Sequence, residues 1–387
     1  MGKTDHDIRR DTLGAENTEG RIRVGVIGAG AISGIYLTNM IQHFPQLDVR
    51  AVSAGHIEHA QVKAAQFHID ACTTEELLRR EDIDMVVVLT PVGTHYDLIR
   101  QALLAGKHVY TEKTLTDDPA KAAELLKLAD ERKLYFGSAP DTFLGPAWQT
   151  ARKAIDDGML GEIHSFAISG NRCNDILLSM FSFLRQPGAG ILYDYAVYYM
   201  TALVSLLGPV ARVAAVTGRP YPTHRNILPE SPDFGKMMDT PNESQVSALL
   251  RLRSGVTGTL HIDADSAAQD QAYFTICGTK GILYLTDPNG FCGEIRFLQS
   301  MPKDFGHTEF TVLPQQTPKM ENMRGIGPAE MANAILTGRK NRANKEMAYH
   351  VLEVLTAMLQ GGEEGKFVDM VSTCERPEPM QEDFRIV

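Results

Sequence analysis

The fold of this chain is decided by the stretch Arg23-Val24-Gly25-Val26-Ile27-Gly28-Ala29-Gly30-Ala31-Ile32-Ser33-Gly34. Its first half alternates apolar residues like a buried strand, and glycines follow before a helix opens near Ile35. A side chain at Gly28 or Gly30 would block a pyrophosphate from the N–H groups at the helix start, Ala31 and Ile32 among them. An ordinary tight turn is the alternative. We favour dinucleotide binding because strand, turn and helix stand in the order that this motif requires, with the small Ser33 at its third position.

Length, composition and charge bound the class of protein. The 387 residues exceed one comfortable core, so two domains are expected. The hydrophobic share of 43% and the charged share of 22% are ordinary for a soluble globular protein. The net charge of −10 argues against a nucleic-acid partner or an anionic membrane, and no apolar run is long enough to span a bilayer.

The N-terminus and the cysteines indicate the compartment. Residues 1–20 are polar, and Arg9-Arg10 is followed by no apolar segment, so we expect a flexible tail rather than an export signal. The 5 cysteines are scattered and show neither metal-site spacing nor a disulfide framework. These features predict a cytoplasmic protein without a metal.

Two patterns follow one another along the chain. Strand and helix patterns alternate as far as Ala139, which predicts a doubly wound parallel Rossmann domain over residues 21–139. Strand-like runs separated by turns then predict an α+β domain with an open, mostly antiparallel sheet over residues 140–387, for substrate binding and oligomerisation. The fold class is therefore α/β. The predicted strands include 84–90, 163–169, 210–217, 246–253, 255–264, 272–277 and 281–286, and the late helices 328–336 and 344–359.

Polar residues follow three predicted strands of the first domain, at the edge where open parallel sheets bind ligands. They are Thr90-Pro91 with His95 beyond, Glu112-Lys113, and Asp141. Lys113 is the best catalytic candidate, since a lysine between a buried strand and a helix start is poorly solvated and can hydrogen-bond a substrate hydroxyl. A surface lysine paired with Glu112 is the alternative.

A second group of candidates surrounds a tyrosine-rich helix. Asp194 and Tyr198, four residues apart, face the same side of that helix. We expect the charge of Lys113 to lower the pKa of the phenol, so that the tyrosinate takes the proton as hydride leaves the carbinol carbon. Packing in a core helix is the alternative for Tyr198, and the residues alone leave both interpretations open. Candidates for contacting substrate hydroxyls, or else solvated loop residues, are Asp141, Asn171, Arg172 and Asn174.

From Arg21 to about Arg376 the chain resembles the glucose–fructose oxidoreductase, inositol dehydrogenase and rhizopine catabolism (Gfo/Idh/MocA) family. The resemblance rests on short motifs at Gly28-Ala29-Gly30, Thr90-Pro91 with His95, 105–109 leading into Glu112-Lys113, Asp194 with Tyr198, and Gly278-Thr279-Lys280-Gly281. It implies a dinucleotide cofactor, a substrate among sugars, cyclitols, glycosides and related diols, and an open sheet used for homodimer or homotetramer contacts. It also implies that Lys113, Asp194 and Tyr198 are catalytic, with Tyr198 as the acid/base.

The chain departs from the family pattern at two places. Thr114 replaces the proline that follows the family's lysine, which would loosen the backbone that positions Lys113. The second strand ends in Ser53-Ala54-Gly55-His56, without the acid that binds the ribose 2′-hydroxyl of NAD and without the arginine of NADP sites. Ser53, His56 or His59 could contact a 2′-phosphate, so NAD and NADP both stay open.

These observations predict an NAD(P)-dependent oxidoreductase that moves hydride between the nicotinamide and a secondary hydroxyl of a sugar, cyclitol or glycoside. Two alternatives remain. In one, a retained and recycled cofactor serves glycoside oxidation–elimination or sugar–sugar oxidoreduction. In the other, the protein is a sensor of nicotinamide or sugar without turnover, which the presence of Lys113, Asp194 and Tyr198 argues against.

Overall fold

A computed structural model of the chain describes residues 20–186, 188–269, 271–300, 309–315, 320–380 and 384–386. The predicted flexible tail lies outside the described residues except for Gly20. Within those ranges no helix is both long enough and apolar enough to traverse a bilayer.

The first sheet has six strands, all parallel, in the order β3-β2-β1-β4-β5-β6. All four residues of β4 are buried, as expected for a strand covered on both faces. Its strands are β1 (Ile22–Ile27), β2 (Leu47–Ser53), β3 (Asp70–Cys72), β4 (Met85–Val88), β5 (His108–Thr111) and β6 (Phe136–Ser138). The helices between them are α1 (Ser33–Gln42), α2 (Ile57–Phe67), α3 (Thr74–Arg79), α4 (His95–Leu104) and α5 (Pro119–Arg132). This confirms the predicted doubly wound parallel sheet.

Local sequence explains where several of these helices begin. The Thr73 hydroxyl accepts from Glu76 N while the Glu76 carboxylate accepts from Thr73 N, so a capping box opens α3. The Asp118 carboxylate caps α5 by accepting from the Ala120 amide, with a proline at the first helical position.

The second sheet has nine strands in the order β16-β15-β14-β13-β7-β12-β11-β8-β17. It is mostly antiparallel, as predicted, with one parallel pair between β7 and β12. Its strands are β7 (Ile163–Asn171), β8 (Val210–Gly218), β11 (Gln245–Leu252), β12 (Thr257–Asp263), β13 (Ala272–Gly278), β14 (Gly281–Leu285), β15 (Arg296–Gln299), β16 (Phe310–Val312) and β17 (Val368–Asp369). A separate hairpin pairs β9 (Thr223–Arg225) with β10 (Met237–Asp239).

Five further helices accompany this sheet: α6 (Pro146–Asp156), α7 (Asn174–Met180), α8 (Val197–Leu207), α9 (Ile326–Thr337) and α10 (Lys345–Glu364). Helix α10 packs on β8 of the second sheet and also on α5 and β6 of the first. The Ser138 amide donates to the Ala343 carbonyl at 3.1 Å, just before α10. Helix α10 therefore joins the two sheets.

Candidate active site

The centre of the site is an ion pair between the two halves of the chain. Lys113 Nζ, in the loop after β5, donates to Asp194 Oδ1 at 2.6 Å and to the Asp194 carbonyl at 2.9 Å. The same ammonium lies 5.5 Å from the ring centroid of Tyr198. The structure thus places side by side the three side chains that the sequence singled out for catalysis.

The backbone before α8 explains how Asp194 and Tyr198 come to face the lysine. Leu192–Ala196 forms one π-helical turn that continues into α8, a distortion often found at functional sites. The Leu192 amide donates to Glu243 Oε1 at 3.1 Å, and the Glu243 carboxylate occupies the place where a Cβ on Gly190 would lie. A side chain at Gly190 would have to displace the Glu243 carboxylate from this position.

The charge state of the site differs from the sequence-based expectation. Burial lowers the pKa of the Lys113 ammonium, but Asp194 and Tyr198 outweigh that effect and leave the pKa above its ordinary value. Burial raises the pKa of the Tyr198 phenol, and the opposing charges of Lys113 and Arg324 do not compensate. The charge of Lys113 does act to lower the phenol pKa, as expected, but the predicted net lowering was wrong, because desolvation of the phenolate exceeds the attraction of the nearby cations. The phenol is a neutral proton donor in this arrangement.

Arg324 is a second cation at this centre, and the sequence reasoning missed it. Burial lowers the pKa of its guanidinium, but the nearby Tyr198, Tyr36 and Glu112 outweigh that effect and leave the pKa above its ordinary value. Its Nη2 also donates to Asn289 Oδ1 at 3.1 Å. Arg324 stands alone in a polar loop before α9, so no local pattern in the sequence marks it.

His95 and Thr114 support the lysine loop instead of facing a ligand. His95 is fully buried, and its ring nitrogens lie 2.8 Å from the Thr90 carbonyl and 2.9 Å from the Thr114 carbonyl. The Thr114 hydroxyl donates to the Thr116 carbonyl at 3.2 Å. The structure therefore contradicts direct cofactor contact by the His95 side chain. At Thr114, which replaces the family's proline, the carbonyl contacts His95 and the hydroxyl contacts Thr116, and the expected loosening of this backbone stays a prediction.

The glycine turn has a geometry that fits a dinucleotide. Gly28 has φ +118°, and a Cβ there would lie 2.8 Å from the Leu89 backbone, so only glycine fits. A Cβ on Gly30 would meet nothing within 4 Å, which leaves open space above the turn. Helix α1 begins there without a side-chain cap and without an acidic residue in its first turn, and Ala31 is exposed. An open, positively polarised helix start suits a diphosphate.

The other predicted cofactor residues divide into two groups. Thr90 is half-buried and Pro91 exposed, and the Thr90 backbone lies against Gly28, so both border the glycine turn together with the half-buried Ile32. Glu112 adjoins Lys113, but its carboxylate accepts from the Tyr36 hydroxyl at 2.6 Å and ties the loop to α1.

The cofactor residues predicted at the end of β2 also differ in their exposure. Ser53 was predicted to contact the cofactor. It is fully buried, with its hydroxyl 3.2 Å from that of Thr74, and so does not face a cofactor. His56 and His59 are both exposed, and their rings lie 5.7 Å apart.

Asp141 was predicted to contact substrate hydroxyls, but it does not face an open cleft. Its side chain is buried and accepts from the Gly327 amide at 2.9 Å, which joins the end of β6 to the start of α9. Burial raises the pKa of this carboxyl to about 6, although the Gly327 hydrogen bond opposes the shift. Asp141 therefore connects the two halves of the chain behind the site.

The structure separates the three residues that were predicted as a polar cluster. Asn171 lies apart from the cleft, where its Nδ2 donates to Ser266 Oγ at 2.9 Å. Arg172 is buried with its guanidinium 3.8 Å from the ring centroid of Tyr195. Only Asn174 shares a pocket with Asp194. The alternation of side chains along β7 and the turn after it sends neighbouring residues in different directions.

A small pocket adjoins Asp194. Its volume is about 20 Å³, room for one water-sized group. Its polar side chains are Asn174, Asp194, Thr240, Asn242 and Glu243. Thr240 and Asn242 belong to the connection between β10 and β11, which thus contributes to the lining of this pocket. Neither they nor Glu243 were predicted, because only the folded chain brings them to Asp194.

Family comparisons cover most of the chain. Residues 22–139 match the GFO_IDH_MocA model, described as an oxidoreductase family with an NAD-binding Rossmann fold, and residues 148–284 match the GFO/IDH/MocA C-terminal domain. The dTDP-3,4-didehydro-2,6-dideoxy-alpha-D-glucose 3-reductase of Streptomyces violaceoruber is 32% identical over 290 residues, covering 72% of this chain and 81% of the relative.

Two more comparisons agree with this assignment. The inositol 2-dehydrogenase of Rhizobium meliloti is 27% identical over 187 residues, covering 48% of this chain and 55% of the relative. The structure of a levoglucosan dehydrogenase in complex with NADH has the same fold, with a TM-score of 0.78 and 19% identity over 90% of this chain and 99% of that one. With an NAD-binding Rossmann domain and the second domain of the same family, the chain belongs to the Gfo/Idh/MocA oxidoreductases.

Proposed function

We propose that the protein interconverts a secondary hydroxyl and a carbonyl at a single carbon of a sugar, cyclitol or glycoside. The observation that carries the proposal is the contact of Lys113 with Asp194 and Tyr198 across the cleft. The relatives that act on a dTDP-sugar and on inositol support this substrate class.

The residues of the cleft have different roles in the reaction. A bound nicotinamide supplies or accepts the hydride. The Tyr198 hydroxyl, neutral because burial raises its pKa, gives a proton to the carbonyl oxygen in reduction and becomes a phenolate. In oxidation the phenolate takes the proton of the substrate hydroxyl and becomes a neutral phenol again. The Lys113 ammonium hydrogen-bonds the same oxygen and stabilises the charge that develops on it. Asp194 holds that ammonium in place through its 2.6 Å contact.

The small pocket beside Asp194 supports a polyhydroxylated substrate. The amide and carboxylate groups that line this pocket form good hydrogen bonds to hydroxyls, and the volume of the pocket accommodates one hydroxyl group. We propose Asn174, Asp194 and Glu243 as the residues that hold a substrate hydroxyl next to the reacting carbon.

A substrate panel tests the proposal. Sugars, cyclitols, glycosides and the matching ketones are offered with NAD(H) and NADP(H), and the reduced nicotinamide is followed by its absorbance. We expect turnover on at least one member, with large losses for Lys113→Met and Tyr198→Phe and none for the exposed Lys127→Met. Equal turnover by all four proteins would refute the assigned residues. Nucleotide binding without any turnover on the panel would favour the sensor alternative.

A further inference from the structure

The end of β2 has room for an extra group on the adenosine ribose and has no carboxylate of its own. Ala54 and Gly55 stand where an acid would bind the 2′-hydroxyl of NAD, and a Cβ on Gly55 would meet nothing within 4 Å. The Ser53 hydroxyl is already engaged with Thr74. Nothing at this strand end therefore repels a phosphate.

Two histidines stand at the start of the next helix. His56 is the residue before α2, and His59 lies in its first turn, with the ring centroids 5.7 Å apart. Both side chains are exposed and carry ring nitrogens that can donate hydrogen bonds. His56 directly follows Gly55 in the chain, so this pair stands next to the end of β2.

Lys63 completes the group from the same helix. It is four residues after His59 and so lies on the same helical face, and long helical side chains lean toward the helix N-terminus. Its Nζ lies 3.5 Å from the place of a Cβ on Gly34, in the first turn of α1 beside the glycine motif. Among the residues that the structure describes, no carboxylate lies within 4 Å of this half-buried ammonium.

The acidic residues of this region are occupied or lie on another face. The Glu76 carboxylate accepts from Thr73 within the capping box, and Glu75 pairs with Arg79. Glu58 is one residue before His59, so it points about 100° away from it around the helix. Lys63 therefore brings to this region a positive charge with which none of these three carboxylates pairs.

We propose that Lys63, His56 and His59 form a receptor for the 2′-phosphate of NADP(H), and that this chain uses NADP(H) in preference to NAD(H). The inference rests on the proposed function, because it presumes that a nicotinamide dinucleotide occupies the cleft. Lys63 forms a charge-assisted hydrogen bond to the phosphate while the histidines border it, in place of the arginine common at such sites.

Binding measurements test the receptor without any substrate. Purified full-length protein is titrated with NADPH and NADH, and separately with 2′,5′-ADP and 5′-ADP, by isothermal calorimetry. We expect tighter binding of NADPH than of NADH by about tenfold to a hundredfold, and the same order for the two fragments. Equal or tighter binding of NADH would overturn the inference and leave the proposed function standing. Binding of neither dinucleotide would overturn both.

Variants then assign the preference to residues. Lys63→Met should remove most of the difference by weakening NADPH alone, and Ala54→Asp should reverse it by adding a partner for a ribose hydroxyl and repelling a phosphate. Lys127→Met, which removes the same charge from an exposed site on α5, should change nothing. If Lys63→Met weakened NADPH and NADH equally, Lys63 would serve the shared diphosphate and the proposed receptor would be wrong.

Discussion

Lys113 Nζ and Asp194 Oδ1 lie 2.6 Å apart, although one residue follows a strand of the parallel sheet and the other precedes α8. Their side chains are only 17% and 23% exposed, so the pair is shielded from screening by water and salt. A half-buried pair of this kind contributes little net stability but penalises the loss of one partner, because the other is left uncompensated. The pair therefore fixes where the ammonium stands relative to Tyr198.

Lys113→Met should lower kcat/KM by about a hundredfold to ten-thousandfold, because the charge that stabilises the reacting oxygen is lost. The Kd of the dinucleotide should change far less, since the glycine turn is untouched. Steady-state kinetics and calorimetry measure the two effects. Lys121→Met, on an exposed lysine of α5, is the matched control. A variant that lost affinity for the dinucleotide but kept its kcat would place Lys113 in cofactor binding instead.

The pH dependence of the two directions should differ. Because burial raises the pKa of the Tyr198 phenol, the group stays protonated at neutral pH and is ready to donate a proton. Reduction should therefore be nearly independent of pH around neutrality, whereas oxidation should accelerate as the pH rises toward the phenol pKa. Initial rates measured in both directions across the alkaline range check this. Tyr198→Phe should abolish the alkaline rise, and a rise that survived in that variant would belong to another group.

Arg324→Gln should move the alkaline rise in oxidation to still higher pH. The guanidinium opposes the effect of burial on Tyr198, so its removal raises the pKa of the phenol further. Ultraviolet difference titration of the phenolate, compared with the same titration of Tyr198→Phe, reads this shift without any substrate. Arg324→Lys should bring the pKa of the phenol partway back toward that of the parent protein. An unchanged titration together with a higher KM for anionic substrates would show that Arg324 binds substrate and does not act on the phenol.

Strong local patterns in the sequence found the main elements, but not their ends or the short ones. The apolar run 84–90 gives a strand only over Met85–Val88, and the late helix predicted from 344 to 359 continues to Glu364. Strand Asp70–Cys72 and helix Asn174–Met180 are too short for a periodic signal. The parallel pairing of β7 with β12 joins segments about ninety residues apart, which periodicity cannot indicate.

The residues of the candidate site likewise divide into those that the sequence reveals and those that it does not. Lys113, Asp194 and Tyr198 could be found because their residue types stand out at strand and helix ends. Arg324 and Glu243 could not, since each reaches the site only through the folding of distant loops. The wrong sign for the phenol pKa has a related cause: attraction between charges can be anticipated from the sequence, whereas the desolvation that outweighs it depends on the finished packing.

Stability should fall in mild acid because of His350. This residue is fully buried, its Nε2 accepts from the Val210 amide at 2.9 Å, and burial lowers its pKa from 6.5 to about 4. Between those values the unfolded chain binds a proton that the folded chain does not, so the free energy of unfolding decreases as the pH falls from 6.5 to 4. The decrease from this group amounts to about 3 kcal/mol. Urea unfolding at several pH values measures it. His350→Gln should be less stable at neutral pH but lose less on acidification, and an identical acid loss in both proteins would exclude His350 as its source.

The open sheet should hold two or four copies of the chain together. Val216, Leu249 and Tyr273 are 69%, 56% and 50% exposed, and the register of β8, β11, β12, β7 and β13 places Val216 and Tyr273 in one row across the outer face. Large apolar side chains spread over a sheet face favour burial against another copy. Light scattering after size exclusion should show a homodimer or homotetramer. Leu249→Glu should shift it toward smaller species, since the interface would have to bury a carboxylate without a partner. Leu336→Glu, on an exposed position of α9, should leave the assembly intact. A parent protein that ran as a monomer at all concentrations would show that this face is solvated.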